Sequence, residues 1–435
     1  MIDIRLVREQ PEAVKAACQH KNAAVGAADI DDLIKLDEQR RKLSAAIEDV
    51  RRERNELAAA LKAGKPSPEQ IEQGRKLKEQ LVAQETDYAK VDTEYLAILK
   101  QVPNLPLQDV PVGKTEDENV VVKTVGKPAR FDFEPKNHWQ LAQAHGLIDK
   151  DRAAKVAGSR FAYLKGNLVK LHFALMNFAM DTITSETTLA EIAERAGLTG
   201  KVSTKPFTLV MPPLMIRTEP YDAMDRLEPR DDRYKIEGEE LWLQGSAEHV
   251  LGSMHLDEIL PEAELPVRYA GYATSFRREA GTYGKDMEGI LRMHQFEKLE
   301  MESLATAENS LNEHLFMVAV QEYLMSALEL PYQVILKCTA DIGKPNARGV
   351  DIDTWLPGQD KYRETHTADY MTDYQARRLG TRVRRQAGEV ELVHTNDATV
   401  FSQRPLIAIM ENYQQADGSI RVPIVLQKYY GGETL

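Results

Sequence analysis

One stretch of the chain concentrates groups able to engage a phosphate and an amine at the same time. Phe276-Arg277-Arg278-Glu279-Ala280-Gly281-Thr282-Tyr283-Gly284-Lys285-Asp286 leads into Gly289-Ile290-Leu291-Arg292-Met293-His294-Gln295-Phe296-Glu297-Lys298-Leu299-Glu300. Two apolar-ended runs flank a Gly-rich polar loop, the pattern of two antiparallel strands joined by a long turn. An Arg at a strand end presents a planar fork to a phosphate, and a nearby Glu accepts from an amine or an adenine amino group. Taken alone, the segment is equally consistent with an ordinary charged surface loop.

Other polar residues carry weaker signals. His249 and His255 have no matching Cys or His set, so no zinc is expected. His294 reads as a structural part of its strand, and His366 as an exposed or hydrogen-bonded residue rather than a metal ligand. Trp242 and Trp355 read as core residues. Cys18 and Cys338 are far apart and form no CxxC, which argues against a thiolate zinc site and a disulfide framework and for a reducing compartment.

The elements that must position these groups differ along the chain. From Ile30 to about Ala63 there is no Pro or Gly, and Leu36, Leu43, Val50 and Leu57 recur every seven residues beside Leu33, Ile47 and Leu61. Gly64-Lys65-Pro66-Ser67-Pro68 breaks the pattern. Leu81, Tyr88 and Tyr95 then repeat beside Leu77, Val91 and Ile98. The spacing predicts an antiparallel helical hairpin with arms of roughly 48 Å at 1.5 Å per residue. Between Arg40 and Gln80 eleven basic residues face seven acidic ones, a local excess of four positive charges. That excess fits a solvated coiled coil laced with ion pairs, and it also fits a finger that grips phosphates.

Val102-Pro103-Asn104-Leu105-Pro106 ends the hairpin, and the polar stretch to about Thr124 reads as a linker. Domains of 1–110 and 111–435 are expected. Beyond the linker, runs such as Phe207–Met211 and Tyr332–Leu336 predict strands, and Ala307–Leu328 predicts a helix. There is no GxGxxG or GxxxxGK[ST] loop, so the fold class is α+β rather than a doubly wound sheet.

The 435 residues carry a formal charge of -12 with 43% hydrophobic residues, which predicts a soluble globular chain of two or three domains. No apolar run of ~18 residues and no secretory signal occur, so a cytoplasmic protein without a membrane partner is expected. The net acidity argues against a surface that binds nucleic acid everywhere, and no DNA partner is expected.

Phe276-Arg277-x-Glu279-Ala280-Gly281 through Arg292-x-His294-Gln295-Phe296-x-Lys298-x-Glu300 resembles motif 2 of the seryl-tRNA synthetases, class II aminoacyl-tRNA synthetases. Gly158-Ser159-Arg160-Phe161 resembles the family's entry to its catalytic domain, and Val210-Met211-Pro212-Pro213-Leu214 its motif 1, the dimer-interface strand. Ala376-Arg377-Arg378, His394-Thr395-Asn396 and Glu411-Asn412-Tyr413-Gln414, ahead of Asp417-Gly418 and Val422-Pro423, resemble the run into motif 3. The likeness covers the whole chain.

The resemblance implies a catalytic domain on an antiparallel sheet, with ATP and Mg²⁺ as cofactors and a homodimer. Serine and ATP would give seryl-adenylate, from which the seryl group passes to serine tRNA, and to selenocysteine tRNA where present. Arg277 would hold the α-phosphate, Arg404 the γ-phosphate, Phe296 would stack under the adenine and Glu279 would receive its amino group. Glu364 matches the Mg²⁺ carboxylate, with the Thr367 hydroxyl beside it. Ser246 and Glu248 would take the substrate's amino group and Glu300 its hydroxyl, with Arg277, Asn396, Ala398 and Thr399 completing the serine pocket. Arg40, Arg41, Arg51, Arg52, Arg54, Arg75 and Lys76 would face the tRNA.

The chain departs from the family in that pocket. The family's Asn-Gly-Ser is here Asn396-Asp397-Ala398-Thr399, and its Ser-Ser-Cys-Ser-Asn is Thr365-His366-Thr367-Ala368-Asp369-Tyr370. Extra sequence around Ala190–Lys205 carries no assigned role. Two rival functions remain: a ligase loading a small amino acid on a carrier protein, against which the basic arm argues, and a non-catalytic relative, against which Arg277, Glu279, Glu364 and Arg404 argue.

Overall fold

The computed structural model describes residues 1–61, 67–280 and 288–435. The sequence break at Gly64-Lys65-Pro66, the basic residues Lys62 and Lys65, the side chain of Leu61 and the loop Gly281–Asp286 lie outside the described residues. The chain divides into two compact units, Met1–Leu105 and Pro106–Leu435.

The first unit is helical. Two short helices, α1 (Ile4–Glu9) and α2 (Pro11–His20), precede the long pair α3 (Ala27–Leu61) and α4 (Pro68–Leu99). Asp3 caps α1 by accepting from the Arg5 amide at 2.8 Å, and Pro11 opens α2 where a missing N–H does no harm. Ser67 and Gln70 form a reciprocal capping box at the start of α4. The long helices run antiparallel, since Arg40 pairs with Asp92 while Arg51, further along α3, pairs back to Glu85. Of the heptad residues, Leu33, Ile47, Val50, Leu77, Leu81 and Tyr95 are buried, whereas Leu36, Leu43, Leu57 and Tyr88 are half-covered. A two-helix contact shields only a narrow seam, so the flanking heptad positions stay partly wet. The sequence reading did not foresee α1 and α2, which bury Val7, Val14, Ala17 and Cys18.

The second unit is built on an eight-stranded sheet. Its strands in chain order are β1 (Val120–Val125), β2 (Thr208–Val210), β3 (Val267–Phe276), β4 (Gln295–Ala305), β5 (Tyr332–Leu336), β6 (Arg348–Leu356), β7 (Lys361–Thr372) and β8 (His394–Ser402). The spatial order is β1-β5-β6-β7-β8-β4-β3-β2, antiparallel throughout except for the β2–β3 edge. The expected linker to Thr124 is therefore wrong in its last part: Val120–Val125 pairs with β5 as the far edge strand. Its side chains are almost all exposed, so no alternation marked it as half-buried.

Side-chain alternation gives the sheet two chemically distinct faces. Leu299 and Met301 on β4, Ala368 on β7, and Ala398 and Val400 on β8 enter one apolar core. Helices α5 (Asn167–Ile183), α6 (Glu186–Arg195), α7 (Ser310–Ala327) and α8 (Arg404–Asn412) supply the other half of that core. The extra segment near residue 190 thus has a structural role: Leu189, Ile192 and Ala193 of α6 pack into the core behind a Ser185 cap. A buried ion pair ties α7 to the sheet. Arg268 on β3 meets both carboxylate oxygens of Glu313 at 2.8 and 2.7 Å, between the rings of Phe207 and Phe316.

Candidate active site

The opposite face of the sheet carries the polar residues. Lys298 and Glu300 on β4, Thr367 on β7 and Thr399 on β8 project there because their neighbours at odd or even steps belong to the core. Arg277 follows the last residue of β3, and the β3–β4 pair is in register from Val267↔Leu304 to Phe276↔Gln295, as the loop pattern predicted.

Arg277, Glu279, Phe296, Glu364, Thr367 and Arg404 line one open cleft of about 650 Å³. Arg277 Nε donates to the Gly245 carbonyl at 3.0 Å, and its guanidinium lies 5.3 Å from the centre of the Phe296 ring. This fixes the plane of the fork before any ligand arrives. Arg404, the first residue of α8, donates from Nη1 to the Glu364 carbonyl at 2.9 Å and lies 2.8 Å from its carboxylate Oε1. Glu279 has a left-handed backbone, φ 53°, a conformation that costs a residue with a side chain ~1–3 kcal/mol. Arg160 binds its carbonyl at 3.1 Å and Arg292 its carboxylate at 2.8 Å, which hold it there.

A second cavity of about 630 Å³ shares Arg277, Lys298 and Thr367 with the first. Ser246 and Glu248 line it. Glu248 accepts from Arg226 Nε at 2.7 Å and from Gln375 at 3.2 Å. Glu300 is fully buried beneath Lys298, with which it pairs; burial pushes its carboxyl up to about 7, and Lys298 holds it from going further.

Four expected pocket residues do not line this cavity: Thr399 lines the first cleft instead, Glu300 is fully buried, Ala398 is buried in the apolar core, and Asn396 shares the Ala398 face of β8. The pleat decides this: with Thr399 lining the cleft, residues two steps away share its face and residues one step away do not. The same rule brings in Asp397, which the reading left out, along with Asp369 of β7. Arg226, Arg292 and Lys298 were also missed as site residues. Arg226 belongs to a loop with no motif of its own, and only the fold brings it to its partners.

The basic residues of the first unit divide. Arg40 lies over the rings of Tyr88 and Tyr95 at 5.6 and 4.8 Å and pairs with Asp92, so it braces the hairpin. Arg41, Arg51, Arg52 and Arg75 are more than half exposed and each pairs with a nearby carboxylate. Arg54 and Lys76 are exposed. The exposed pairs of Arg51, Arg52 and Arg75 are worth ~0–1 kcal/mol each, so a phosphate can replace the carboxylate there at small cost, whereas Asp37, the partner of Arg41, is buried.

Among the single residues weighed in the sequence, Trp242 is in a core cluster with Tyr221 and Leu227, and Trp355 is half-buried against Tyr362. His294 sits one residue before β4, its Nδ1 at 2.9 Å from the Arg277 carbonyl oxygen. His366 is buried beside Phe401 with Nδ1 on the Thr365 hydroxyl, and burial depresses its pKa to about 3. His249 is buried and accepts from the Gly245 amide, while His255 contacts Glu258. Cys18 and Cys338 are both buried thiols. Among the described residues no group of three or more His, Cys, Asp or Glu is arranged to hold a metal, and no helix is long and apolar enough to cross a membrane.

Comparison with known proteins places this architecture. The seryl-tRNA synthetase N-terminal domain matches residues 1–106, and the class II tRNA synthetase core domain of the G, H, P, S and T enzymes matches residues 233–413. The serine--tRNA ligase of Pseudothermotoga lettingae is 38% identical, with 100% of each chain covered. The chain belongs to the seryl-tRNA synthetase family. The serine--tRNA ligase of Methanocella arvoryzae is likewise 38% identical over 99% of both chains. The seryl-tRNA synthetase of Pyrococcus horikoshii, solved with ATP, superposes with a TM-score of 0.89 at 35% identity, covering 100% of this chain and 99% of that one. The cytoplasmic enzyme of Naegleria fowleri, solved with AMP, gives 0.84 at 27% over 100% and 98%.

Proposed function

We propose that the chain is a serine--tRNA ligase, which joins serine to ATP as seryl-adenylate and transfers the seryl group to the terminal adenosine of serine tRNA. The observation that carries this is the pair of preorganised guanidiniums, Arg277 and Arg404, lining one cleft that shares Arg277, Lys298 and Thr367 with a second cavity. Attack of a carboxylate on the α-phosphate develops charge on phosphate oxygens, and fixed cations placed there lower the barrier without moving in the reaction. Arg277 receives the α-phosphate and Arg404 the γ-phosphate. Phe296 and Arg404 enclose the adenine, whose amino group meets Glu279. Pyrophosphate leaves on the Arg404 side.

Mg²⁺ takes oxygen ligands and commonly relies on one or two protein groups plus substrate phosphates. Glu364 fits that pattern at the cleft wall, and among the described residues the buried Thr367 Oγ1 on the same strand makes no close hydrogen bond apart from its contact with the Asp351 carboxylate. When bound, the ion would neutralise charge on the phosphates. Ser246, Glu248, Glu300 and Thr399 form the serine pocket, with Glu300 accepting from the substrate hydroxyl.

The hairpin grips the tRNA backbone through Arg41, Arg51, Arg52, Arg54, Arg75 and Lys76, a contact of shape and charge rather than base readout. The same clamp takes selenocysteine tRNA where that tRNA is present. The enzyme works as a cytoplasmic homodimer. Leu209, Met211, Leu214 and Met215 support a dimer: all are more than a third exposed, Met211 88%, along the β2 edge. Charging of purified serine tRNA with labelled serine tests the assignment; a base-labile seryl-tRNA is expected, and adenylate without charging would favour a carrier-protein ligase.

A further inference from the structure

The second cavity ends on a row of acids. Glu302 on β4 faces Asp397 on β8 in register, and Asp397 faces Asp369 on β7. Opposed side chains on adjoining antiparallel strands lie ~4.5–5.5 Å apart at Cβ, where like charges destabilise the sheet. Glu302, Asp397 and Asp369 are 0%, 3% and 8% exposed. One guanidinium bridges part of the row: Arg226 Nη2 is 3.8 Å from Asp369 Oδ2 and 3.8 Å from Asp397 Oδ1, while its Nε is committed to Glu248. Neither Asp397 Oδ1 nor either Glu302 oxygen has a hydrogen-bond partner among the described residues. Of the other cations nearby, Lys298 pairs with Glu300, while Lys337 pairs with Asp351 and also acts on Asp369, which Asn346 hydrogen-bonds, so Asp397 and Glu302 are the members left short. Asp397 and Asp369 line the cavity. A nearly dry carboxylate row that opens on a cavity and is short of positive charge calls for a cation from the ligand.

We infer that Asp397, seated between Asp369 and Glu302, forms an ammonium-binding subsite of the amino-acid pocket. The inference rests on the adenylation reading above. It also gives a physical role to the two departures from the family pattern, since Asp397 and Asp369 fall within them. Burial, reinforced by neighbouring carboxylates, raises the Asp397 and Glu302 carboxyls well above their usual range.

Two sources can supply the ammonium. One is the α-ammonium of serine, because Oε1 of Glu248, the expected acceptor, is already taken by Arg226 and Gln375. The other is a side-chain amine of a short diamino acid, because Asp397 lies two residues, ~6.7 Å along the strand, from Thr399.

The test is amino-acid-dependent ATP–pyrophosphate exchange by the full-length protein and its Asp397→Asn variant, with serine, 2,3-diaminopropionate and 2,4-diaminobutyrate. If the subsite takes the α-ammonium, the variant's KM for serine rises by about tenfold or more while KM for ATP stays within about twofold. If it takes a side-chain amine, the wild type activates a diamino acid, and the variant's kcat/KM for it falls about tenfold relative to serine. Serine KM within about threefold of wild type, together with no selective loss on a diamino acid, overturns the inference. Glu302→Gln, which keeps its volume, is measured alongside and moves the same parameter in the same direction, so a folding defect in one variant leaves the other as the test. Absence of exchange with every amino acid in the wild type is the separate failure of the adenylation reading.

Discussion

Replacing Arg277 separates chemistry from folding more cleanly than any other change in the cleft. Among the described residues its guanidinium makes one hydrogen bond, to the Gly245 carbonyl at 3.0 Å, and one ring contact, to Phe296 at 5.3 Å. Those contacts together contribute ~1–2 kcal/mol to folding at most. The same contacts aim the Nη edge into the cleft, where a preorganised donor is worth ~10²–10³ in rate, or ~2.7–4 kcal/mol. Arg277→Ala should therefore lower serine-dependent ATP–pyrophosphate exchange by ~10³, with a melting temperature within ~5 °C of wild type. Arg277→Lys keeps a charge but loses the fork and the stacking, and should recover no more than about tenfold of that loss. Exchange is measured at saturating serine and ATP, and folding by circular dichroism melts. Exchange within about fivefold of wild type in Arg277→Ala would refute the assignment of this side chain to the α-phosphate.

Breaking the Arg268–Glu313 pair by Glu313→Gln leaves a buried guanidinium short of its counter-charge and should cost ~3–5 kcal/mol in a denaturant melt. The double change Arg268→Met with Glu313→Leu should restore most of it, because burying neither charge avoids the desolvation penalty. Arg51→Glu with Arg52→Glu should raise KM for tRNA and lower the salt slope of tRNA binding by ~2 while leaving pyrophosphate exchange intact; an unchanged slope removes both residues from the interface. With the Glu300 carboxyl raised to about 7, it is protonated below that pH and ionised above it. KM for serine should then fall as pH rises through about 7, and Glu300→Gln should flatten that dependence.

Sequence and structure agree where the information is local. The heptads of α3 and α4 and the β3–β4 pair are set by short-range patterns; Arg277, Glu279, Phe296, Glu364 and Arg404, which the family resemblance singled out, line one cleft. The pocket was harder to read. Assigning Ala398 to it depended on matching a departed segment residue by residue, and in a strand a single step moves a side chain to the other face. Arg226 had no motif, since its partners Glu248, Asp369 and Asp397 come from three distant parts of the chain. The strand Val120–Val125 was hidden because an edge strand with exposed side chains has no buried alternation to reveal it.

The most direct test of the central claim is ATP–pyrophosphate exchange measured with each of the twenty amino acids in turn. The account predicts exchange with serine well above that with alanine, threonine or cysteine, because the proposed pocket assigns Glu300 and Thr399 to the substrate hydroxyl. Exchange that favours another amino acid over serine, or none at all, would contradict it.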